Sequence, residues 1–369
     1  MNKIIKIVLI NIIVFIVLCI FIFLSIFVYS FYSEAKYTRK ARLPNYNGVA
    51  WAETHFFEFS QLMTRYSDYV IWRRQAFSGE TININQDGIR RTVNGEGADR
   101  TAFFFGGSTM WGTGADDANT IPSIFASNAP FQAVNFGESG WTAHQSLNQL
   151  MKLYIEGKRP DLVVFYDGVN EVSHKCRSEL NFYSASREHQ MRQTMKYSTA
   201  PGKLKYYARP FVYLADKLKA VSSKTAYRDC HLDPDKARLI ATALVQDWQI
   251  AKSIVEGYCG RFVAILQPNA FLGSPRLDHL PKVRGDEQQH AQFSAVYPII
   301  RQEMAARQIG HDFTKAFDGE QYLYIDTAHV SPDGNARIVA RLADLLATME
   351  LTGVSADSSC SGAWPGGKN

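Results

Sequence analysis

The sequence predicts an α/β domain built on a parallel sheet, preceded by one N-terminal transmembrane helix. From residue 101 onward, short apolar runs alternate with helix-length segments, a pattern typical of buried parallel strands with helices on both faces. Nearer the N-terminus, residues 7–32 carry no charge. The chain of 369 residues is 46% hydrophobic, which suffices for a large packed core and excludes disordered and low-complexity classes.

The uncharged stretch at residues 7–32 has the length of a membrane span. As a helix its 26 residues would extend about 39 Å, enough to cross a bilayer with some tilt. A cleaved signal peptide is the alternative, because Ser33-Glu34-Ala35 faintly resembles a cleavage site. The apolar region of a signal peptide is only about 7–15 residues long, however. We therefore interpret residues 1–32 as an uncleaved anchor.

The orientation of this anchor is judged from charge and from the cysteines. Two lysines precede the span and four basic residues follow it, so the positive-inside rule alone favours a cytoplasmic C-terminal side. The six residues before the span are too few to carry a function, and the cysteine pattern suits an oxidising compartment. We expect a single-pass inner-membrane protein whose globular part is periplasmic or extracytoplasmic.

The basic charge of the chain is concentrated close to the anchor. The formal net charge is +5, and residues 1–42 contain six Lys or Arg residues and one acidic residue. Residues 43–369 are therefore neutral overall, which argues against a nucleic-acid-binding protein. No nucleic-acid partner is expected.

Composition divides the rest of the chain into a linker, an accessory segment, a main domain with an insertion, and a tail. Their ranges are 33–48, 49–100, 101–350 with the insertion at 172–232, and 351–369. Within the accessory segment, residues 56–74 are compatible with a helix and residues 81–85 alternate like a strand. Gln86-Asp87-Gly88 indicates a turn.

The main domain contains five predicted strands separated by predicted helices. The strands are Thr101–Phe105, Phe131–Asn135, Leu162–Tyr166, Phe262–Leu266 and Tyr322–Ile325. The helices are 119–128, 142–157, 235–257, 286–308 and 333–349. In an open parallel sheet, ligands bind beyond the carboxyl ends of the strands. The residues that follow each strand are therefore the candidates for function.

The first strand leads directly into Gly106-Gly107-Ser108-Thr109-Met110. Glycines before a serine allow a sharp strand-to-helix turn that exposes the hydroxyl, although a helix-capping role for Ser108 is the simpler alternative. Met110 stands where the nucleophile elbow of α/β-hydrolases has glycine, and the glycine motifs that bind nucleotides are absent. Ser108 is therefore a candidate nucleophile.

Two further polar corners follow the second and third strands. Residues 135–142, Asn-Phe-Gly-Glu-Ser-Gly-Trp-Thr, open a helix and would direct backbone N–H groups at the ligand crevice, unless they form a plain loop capped by Thr142. At the carboxyl end of the third strand, the carboxamide of Asn170 lies within Asp167-Gly168-Val169-Asn170-Glu171. An Asx-turn is the alternative role for this asparagine.

The last predicted strand leads into Asp326-Thr327-Ala328-His329, ahead of a Ser-Pro helix start at Ser331-Pro332. On a turn, this spacing lets the carboxylate reach the Nδ1–H of the imidazole while Nε2 faces the crevice. Each residue alone is more often structural. A nucleophile candidate, polar donors and an Asp/His pair at one edge of a sheet are together what acyl transfer requires.

These motifs resemble the SGNH/GDSL hydrolases in identity, order and spacing over roughly residues 100–348. The resemblance implies a flavodoxin-like three-layer α/β/α sandwich. It implies Ser108 as nucleophile, His329 as general base, and Asp326 as the residue that orients it. The oxyanion hole would consist of the backbone N–H groups of Ser108 and Gly140 and the side chain of Asn170. The matching blocks are Gly106-Gly107-Ser108-Thr109, Asn135 to Gly140, Gly168-Val169-Asn170 and Asp326-Thr327-Ala328-His329.

Two positions depart from the family pattern. Gly107 stands where the family name has aspartate, and Glu171 follows the asparagine of the third block. Neither position belongs to the triad or to the oxyanion hole that the resemblance implies.

The insertion at residues 172–232 combines positive charge with aromatic residues. It has 12 Lys and Arg residues against four Asp and Glu residues. Three interpretations are open: a substrate lid suited to a polyanionic sugar, a contact with the membrane, or a solvated cap whose aromatic rings merely pack. The aromatic residues are Phe182, Tyr183, Tyr197, Tyr206, Tyr207, Phe211, Tyr213 and Tyr227.

Five cysteines are present, and Cys19 lies inside the anchor. The other four allow three connectivities, of which we favour Cys176–Cys230 with Cys259–Cys360 in an oxidising compartment. Neither a metal nor a cofactor is expected, because no nucleotide motif is present and six scattered histidines show no ligand spacing. These are His174, His189, His231, His279, His290 and His311.

Together these observations predict a membrane-anchored serine esterase that removes O-acyl groups, in the first place acetyl, from a cell-envelope or exported polysaccharide. Its expected partners are the ester-bearing substrate and the membrane. An O-acyltransferase with the same triad, a lipase or lysophospholipase, and a non-catalytic polysaccharide-binding assembly protein are the alternatives.

Overall fold

The computed structural model describes residues 3–178, 185–197 and 228–351. It begins with helix α1 (Lys3–Thr38), which two 3₁₀ turns follow at Arg39–Arg42 and Pro44–Tyr46. The stretch Ile5–Ser25 of α1 has a mean hydropathy of 3.5, and none of it is buried against the rest of the protein. By its length and composition this helix can cross a bilayer, as an anchor or as a signal sequence.

The accessory segment consists of one helix and two small antiparallel hairpins. These elements are α2 (Ala52–Gln61), β1 (Thr64–Ser67), β2 (Ile71–Arg74), β3 (Phe77–Ser78) and β4 (Asn83–Ile84). The helix predicted over residues 56–74 is therefore wrong in its second half. Tyr69 and Ile71 have positive φ angles of 68° and 73°, which form the tight turn between β1 and β2 and which no helix accommodates.

Within residues 3–178, 185–197 and 228–351, the central sheet has five parallel strands. They are β5 (Arg100–Gly106), β6 (Phe131–Asn135), β7 (Leu162–Asp167), β8 (Arg261–Leu266) and β9 (His311–Asp312). Their order across the sheet is β6-β5-β7-β8-β9. In the strand register, Phe104 of β5 pairs with Asn135 of β6 on one side and with Val164 of β7 on the other. This is the flavodoxin-like strand order, and its switch point lies between β5 and β7.

Helices cover both faces of the sheet, so the predicted three-layer architecture is confirmed. Phe103 and Phe105 pack with residues of α5, α8 and α10, whereas Phe104 points to the opposite face and packs with residues of α4 and α11. The helices are α3 (Ser108–Trp111), α4 (Ile121–Asn128), α5 (Ala143–Ile155), α6 (Val169–Lys175), α7 (Glu188–Tyr197), α8 (Pro234–Gly257), α9 (Pro281–Arg284), α10 (Glu287–Arg307) and α11 (Pro332–Leu351).

The strand predicted at residues 322–325 is wrong, because the fifth strand is β9, which pairs with Ile265 and Leu266 of β8. Residues 323–325 resemble a strand because all three are buried. They instead form one side of a closed loop, in which Tyr324 bridges antiparallel to Val330. Asp326 and His329 are therefore carried by this loop rather than by the end of a strand.

Part of the insertion and most of the tail lie outside the described residues. The predicted lid, membrane contact or cap of residues 172–232 falls largely on residues 179–184 and 198–227, and stays a prediction. A disulfide joins Cys176 to Cys230, as expected. Cys259 is also disulfide-bonded, and its predicted partner Cys360 lies outside the described residues.

Candidate active site

Ser108 is the first residue of α3 and follows the carboxyl end of β5 at a sharp turn. Gly106, with a φ of +152°, makes this turn possible, because a Cβ at this position would lie 2.5 Å from the backbone oxygen of Tyr166. Gly107 is the N-cap residue, and no side chain caps the helix. The hydroxyl of Ser108 therefore has no capping role and points towards another partner.

That partner is His329. The Oγ of Ser108 lies 2.6 Å from Nε2 of His329. On the other side of the ring, Nδ1 lies 2.8 Å from both carboxylate oxygens of Asp326. The carboxylate favours the tautomer with the proton on Nδ1, so that Nε2 accepts a hydrogen bond from the Ser108 hydroxyl. The structure thus brings together the serine, histidine and aspartate singled out from the sequence.

Asp326 is held as an anion by its surroundings. The backbone N–H groups of Ala328 and His329 donate to Oδ1 at 3.1 and 2.9 Å. Burial would raise the pKa of Asp326, but the charges of His329 and Lys40 and their hydrogen bonds outweigh burial and hold this pKa well below its usual value. The carboxylate of Asp326 is therefore ionised at neutral pH.

Asn170 lies in the first turn of α6, next to the nucleophile. Gly168, with a φ of +123°, allows the chain to turn from β7 into this helix. The Nδ2 of Asn170 donates to the backbone oxygen of Trp141 at 2.6 Å. A carboxamide carries two N–H bonds, so this contact fixes the orientation of the group and leaves one N–H for a ligand.

Gly140 lies one residue before Trp141, in a loop that the β1–β2 hairpin supports. Glu138 is fully buried, and its Oε2 accepts a hydrogen bond from the backbone N–H of Arg74 at 2.8 Å. The guanidinium of Arg74 donates to Oγ of Ser139 at 2.7 Å. Nε1 of Trp72 donates to the backbone oxygen of Ser139 at 3.0 Å. The accessory segment therefore fixes the loop that carries the second predicted oxyanion donor.

A cavity of about 140 Å³ opens at the nucleophile. Ser108, Asn170 and His329 share its wall, so two predicted triad members and one predicted oxyanion donor face the same space. Gly140 and Asp326 are not among the described residues that line the cavity. The lining residues are Ser108, Thr109, Val169, Asn170, Ser173, Gln267, Thr327, Ala328 and His329.

A larger and more open depression of about 410 Å³ lies along α8. It is lined by Gln246, Gln249, Ile250, Ser253 and Ile254. The Ser253 hydroxyl donates to the backbone oxygen of Gln249, and none of the described residues bordering this depression is a histidine or an acidic residue. Its residues offer no activated nucleophile, so the smaller cavity is the candidate active site.

Three contacts of the site were not anticipated from the sequence. Lys40 pairs with Asp326, Arg74 supports the Gly140 loop, and Glu171 accepts backbone hydrogen bonds from Ala143 and Gly168. Glu171 is the one that the sequence signalled, because its place directly after Asn170 departs from the family pattern. Lys40 and Arg74 belong to segments that carry no recognisable motif.

Within the described ranges, the structure shows no group of three or more His, Cys, Asp or Glu residues arranged to hold a metal ion. His174 is a titratable side chain beside the Gly140 loop, since its Nε2 lies 3.7 Å from the position of a Cβ on Gly140. Burial first, and then the neighbouring cations Arg177, Arg187 and Arg228, lower the pKa of His174 to about 4. It is therefore neutral at pH 7.

The chain is similar in structure to GDSL-type hydrolases. One match is a member of the lipolytic protein G-D-S-L family from Veillonella parvula, with 9% identity and a TM-score of 0.38, covering 67% of this chain and 98% of that one. Another is a carbohydrate acetylesterase family member from Sinorhizobium meliloti, with 14% identity and a TM-score of 0.37, covering 69% and 99%. A third is the acetyl xylan esterase AlAXEase, with 16% identity and a TM-score of 0.37, covering 67% and 99%.

No family model and no curated protein matches the sequence. The identities to the solved structures are 9–16% and the TM-scores are below 0.5. The function proposed for this chain therefore rests on the geometry of its own site.

Proposed function

We propose that this protein is a serine esterase of the SGNH/GDSL type, a carboxylic ester hydrolase that works through Ser108, His329 and Asp326. One observation carries the proposal: a single imidazole bridges a serine hydroxyl at 2.6 Å and a carboxylate at 2.8 Å. That chain of contacts is the arrangement that activates a serine for attack on an acyl carbon. Ser108 and His329 line a cavity that the side chain of Asn170 also lines, and the hydrogen bond to Trp141 fixes the orientation of this carboxamide.

The reaction has two halves. His329 removes the proton of the Ser108 hydroxyl as Oγ attacks the ester carbonyl carbon, and Asp326 stabilises the imidazolium that forms. His329 then gives this proton to the leaving alcohol, and an acyl-enzyme remains on Ser108. A water molecule, deprotonated by His329, attacks the acyl-enzyme, and collapse of the second intermediate releases the acid and restores the Ser108 hydroxyl.

The negative oxygen formed in each half requires hydrogen-bond donors. The second N–H of Asn170 and the backbone N–H groups of Ser108 and Gly140 are proposed for this role. Asn170 is already oriented by Trp141, so little reorganisation accompanies the reaction. Such donors typically contribute about 2.7–4 kcal/mol each to the transition state.

The size of the cavity favours a short acyl group. Drug-sized ligands occupy pockets of roughly 300–1,000 Å³, whereas this cavity measures about 140 Å³. An acetyl group suits that volume better than a fatty acyl chain. We propose O-acetyl esters of a cell-envelope or exported polysaccharide as the substrate class, with α1 as the membrane anchor.

The Cys176–Cys230 disulfide supports an extracytoplasmic location, because such bonds persist in oxidising compartments. Protease added to sealed right-side-out vesicles should degrade the catalytic domain and leave a short fragment that contains α1. Full protection of the domain from the protease would show that it lies inside the vesicles, opposite to the proposed orientation. Release of the domain without detergent would identify α1 as a cleaved signal sequence.

The activity is tested with p-nitrophenyl esters of increasing acyl length. Wild type should hydrolyse the acetyl ester fastest, and Ser108→Ala should lower kcat by about 10⁴-fold or more. Ser146→Ala is the matched control, because the Ser146 hydroxyl is buried and has no hydrogen-bond partner in the part of the chain that the structure describes. Equal rates for Ser108→Ala and wild type would overturn the proposal.

The same assay separates the alternatives. A sugar acceptor that accelerates turnover would identify an acyltransferase, in which a sugar hydroxyl replaces water in the second half. Preference for long acyl chains would identify a lipase. Absence of turnover with every ester would leave a polysaccharide-binding protein.

A further inference from the structure

The segment between the membrane helix and the catalytic domain reaches the active site. Lys40, in the 3₁₀ turn that follows α1, places its Nζ 2.5 Å from Oδ2 of Asp326. The two side chains are only 28% and 27% exposed, so water screens the pair incompletely. The two residues are 286 positions apart in the sequence. We call residues 39–46 the stem.

The stem also holds the residues immediately before Asp326. The Nδ2 of Asn45 donates to the backbone oxygens of Tyr322 and Tyr324 at 2.6 and 3.2 Å. Ile325 is buried in a cluster with Tyr46. The hydroxyl of Tyr46 in turn donates to the backbone oxygen of Gly114 at 2.6 Å. Hydrogen bonds and apolar packing therefore dock the stem on the loop that carries Asp326.

Lys40 completes the set of groups that hold the Asp326 carboxylate. Oδ1 accepts the backbone N–H groups of Ala328 and His329, whereas for Oδ2 the structure shows Lys40 as the partner besides the imidazole. A carboxylate held at one oxygen only can rotate about its Cβ–Cγ bond. Holding both oxygens fixes the plane of the carboxylate against Nδ1 of His329.

We propose that Lys40 is a positioning residue of the active site, which fixes the Asp326 carboxylate and thereby couples the membrane-proximal stem to the triad. This inference rests on the proposed esterase function. Lys40 lies outside the cavity wall and touches no reacting atom, so it acts through Asp326 and His329. Lys40 thus links the stem to the catalytic residues, whereas Arg42 in the same turn makes no such contact within the described residues.

The groups that face Asp326 determine how the loss of Lys40 changes the pH profile. They are His329 on the same loop and Lys40 and the phenol of Tyr46 on the stem. Burial and the negative charge of Asp326 raise the pKa of Tyr46 far above its usual value, so this phenol is neutral. Lys40 is therefore a cation that, together with His329, holds the pKa of Asp326 low. Its loss should raise the pKa of Asp326, so that the carboxylate takes up a proton at a higher pH.

The test compares full-length Lys40→Met, Lys40→Arg and Arg42→Met with wild type on the acetyl ester. Lys40→Met should lower kcat by about tenfold with little change in KM, because the substrate does not touch Lys40. The acidic limb of its kcat/KM profile should move to higher pH. Lys40→Arg should restore both properties, since it retains charge and reach. Arg42 is exposed in the same turn, so Arg42→Met should match wild type.

A double-mutant cycle with Asp326→Asn separates positioning from a structural contribution of the stem. If Lys40 acts through the carboxylate, Lys40→Met should have no further effect on kcat in the Asp326→Asn background. A Lys40→Met enzyme with wild-type kcat and pH profile, or effects that simply add, would overturn the inference. Failure of the esterase proposal would show separately, as activity that survives Ser108→Ala.

Discussion

The carboxylate of Glu171 accepts a hydrogen bond from the backbone N–H of Ala143 at 2.7 Å. Its other oxygen accepts the N–H of Gly168 at 2.8 Å. Ala143 begins α5 after the Gly140 loop, and Gly168 precedes Asn170. One buried side chain therefore ties together the two loops that carry the proposed oxyanion donors. Burial raises the pKa of Glu171, and these backbone donors oppose the rise.

Glu171→Ala should lower both stability and activity. It leaves the N–H groups of Ala143 and Gly168 buried without partners, which costs about 1–3 kcal/mol each in the free energy of unfolding. We expect kcat on the acetyl ester to fall by roughly tenfold or more as the two loops separate. Denaturant unfolding and steady-state kinetics check this, with Glu156→Ala on the exposed end of α5 as control. A stable Glu171→Ala enzyme with wild-type kcat would show that the two loops do not need this tie.

Asn170→Ala should lower kcat by about 10²–10³-fold, because it removes one side-chain donor from the transition state. KM should change little, since the donor acts on charge that develops only during the reaction. Asn148→Ala is the control, because Asn148 bonds the backbone oxygen of Tyr69 on an exposed surface. Wild-type rates for purified Asn170→Ala would remove Asn170 from the oxyanion hole.

The sheet and the three residues proposed as the triad could be singled out because their signals in the sequence are local. Buried strands such as Leu162–Asp167 appear as continuous apolar runs, and Ser108, Asp326 and His329 sit in short motifs of fixed spacing. The fifth strand, β9, has no such local signal. His311–Asp312 has two residues and no apolar run, while the buried loop at residues 322–325 has the composition of a strand.

The supports of the site could not be predicted, because they depend on contacts across long separations. Lys40 and Asp326 are 286 residues apart, and Arg74 and Glu138 are 64 apart. A basic stretch after an apolar helix has the same composition whether its lysine faces solvent or an active site. The sequence accordingly predicts only a linker at residues 33–48, and the contacts of Lys40 and Asn45 form only when the chain is folded.

The Cys176–Cys230 disulfide should contribute substantially to stability. It closes a segment with a sequence separation of 54 residues. The chain-entropy model gives about 4 kcal/mol for a loop of that length. Cys176→Ser combined with Cys230→Ser should therefore lower the unfolding free energy by an amount of this order, measured under non-reducing conditions. Cys19→Ser is the control, because Cys19 is a free thiol on α1. Equal unfolding of the double variant and wild type would show that this bond does not constrain the unfolded chain.

Arg90→Met should be strongly destabilising. The guanidinium of Arg90 is fully buried and donates to Asp117 at 3.0 Å, and to the backbone oxygens of Gly112 and Ala115 at 2.7 and 2.6 Å. These oxygens belong to the turn after α3, which begins at Ser108. Removing the cation leaves Asp117 uncompensated, at a typical cost of 3–5 kcal/mol. The free energy of unfolding in denaturant measures this loss, with Arg91→Met at the exposed neighbouring position as control. Similar stability of the two variants would contradict the prediction.

Asp167 gives the stability of the protein a distinctive pH dependence. Burial, and next the charge of Glu171, raise the pKa of Asp167 well above its usual value. Its Oδ2 accepts a hydrogen bond from Nε1 of Trp248 at 3.1 Å, while Oδ1 is buried without a partner among the described residues. The folded protein therefore retains a proton that the unfolded chain releases above about pH 4. Where the folded state binds more protons than the unfolded state, stability falls as pH rises.

Asp167→Asn should remove this dependence, because an amide keeps an acceptor for Trp248 and carries no charge. The unfolding free energy of the variant relative to wild type should increase between pH 4 and pH 8, by up to about 1.4 kcal/mol per pH unit. Asp87→Asn, at an exposed turn, should show no such trend. Unfolding in denaturant across this pH range measures the difference. A difference that stays constant from pH 4 to pH 8 would mean that Asp167 is ionised in the folded protein.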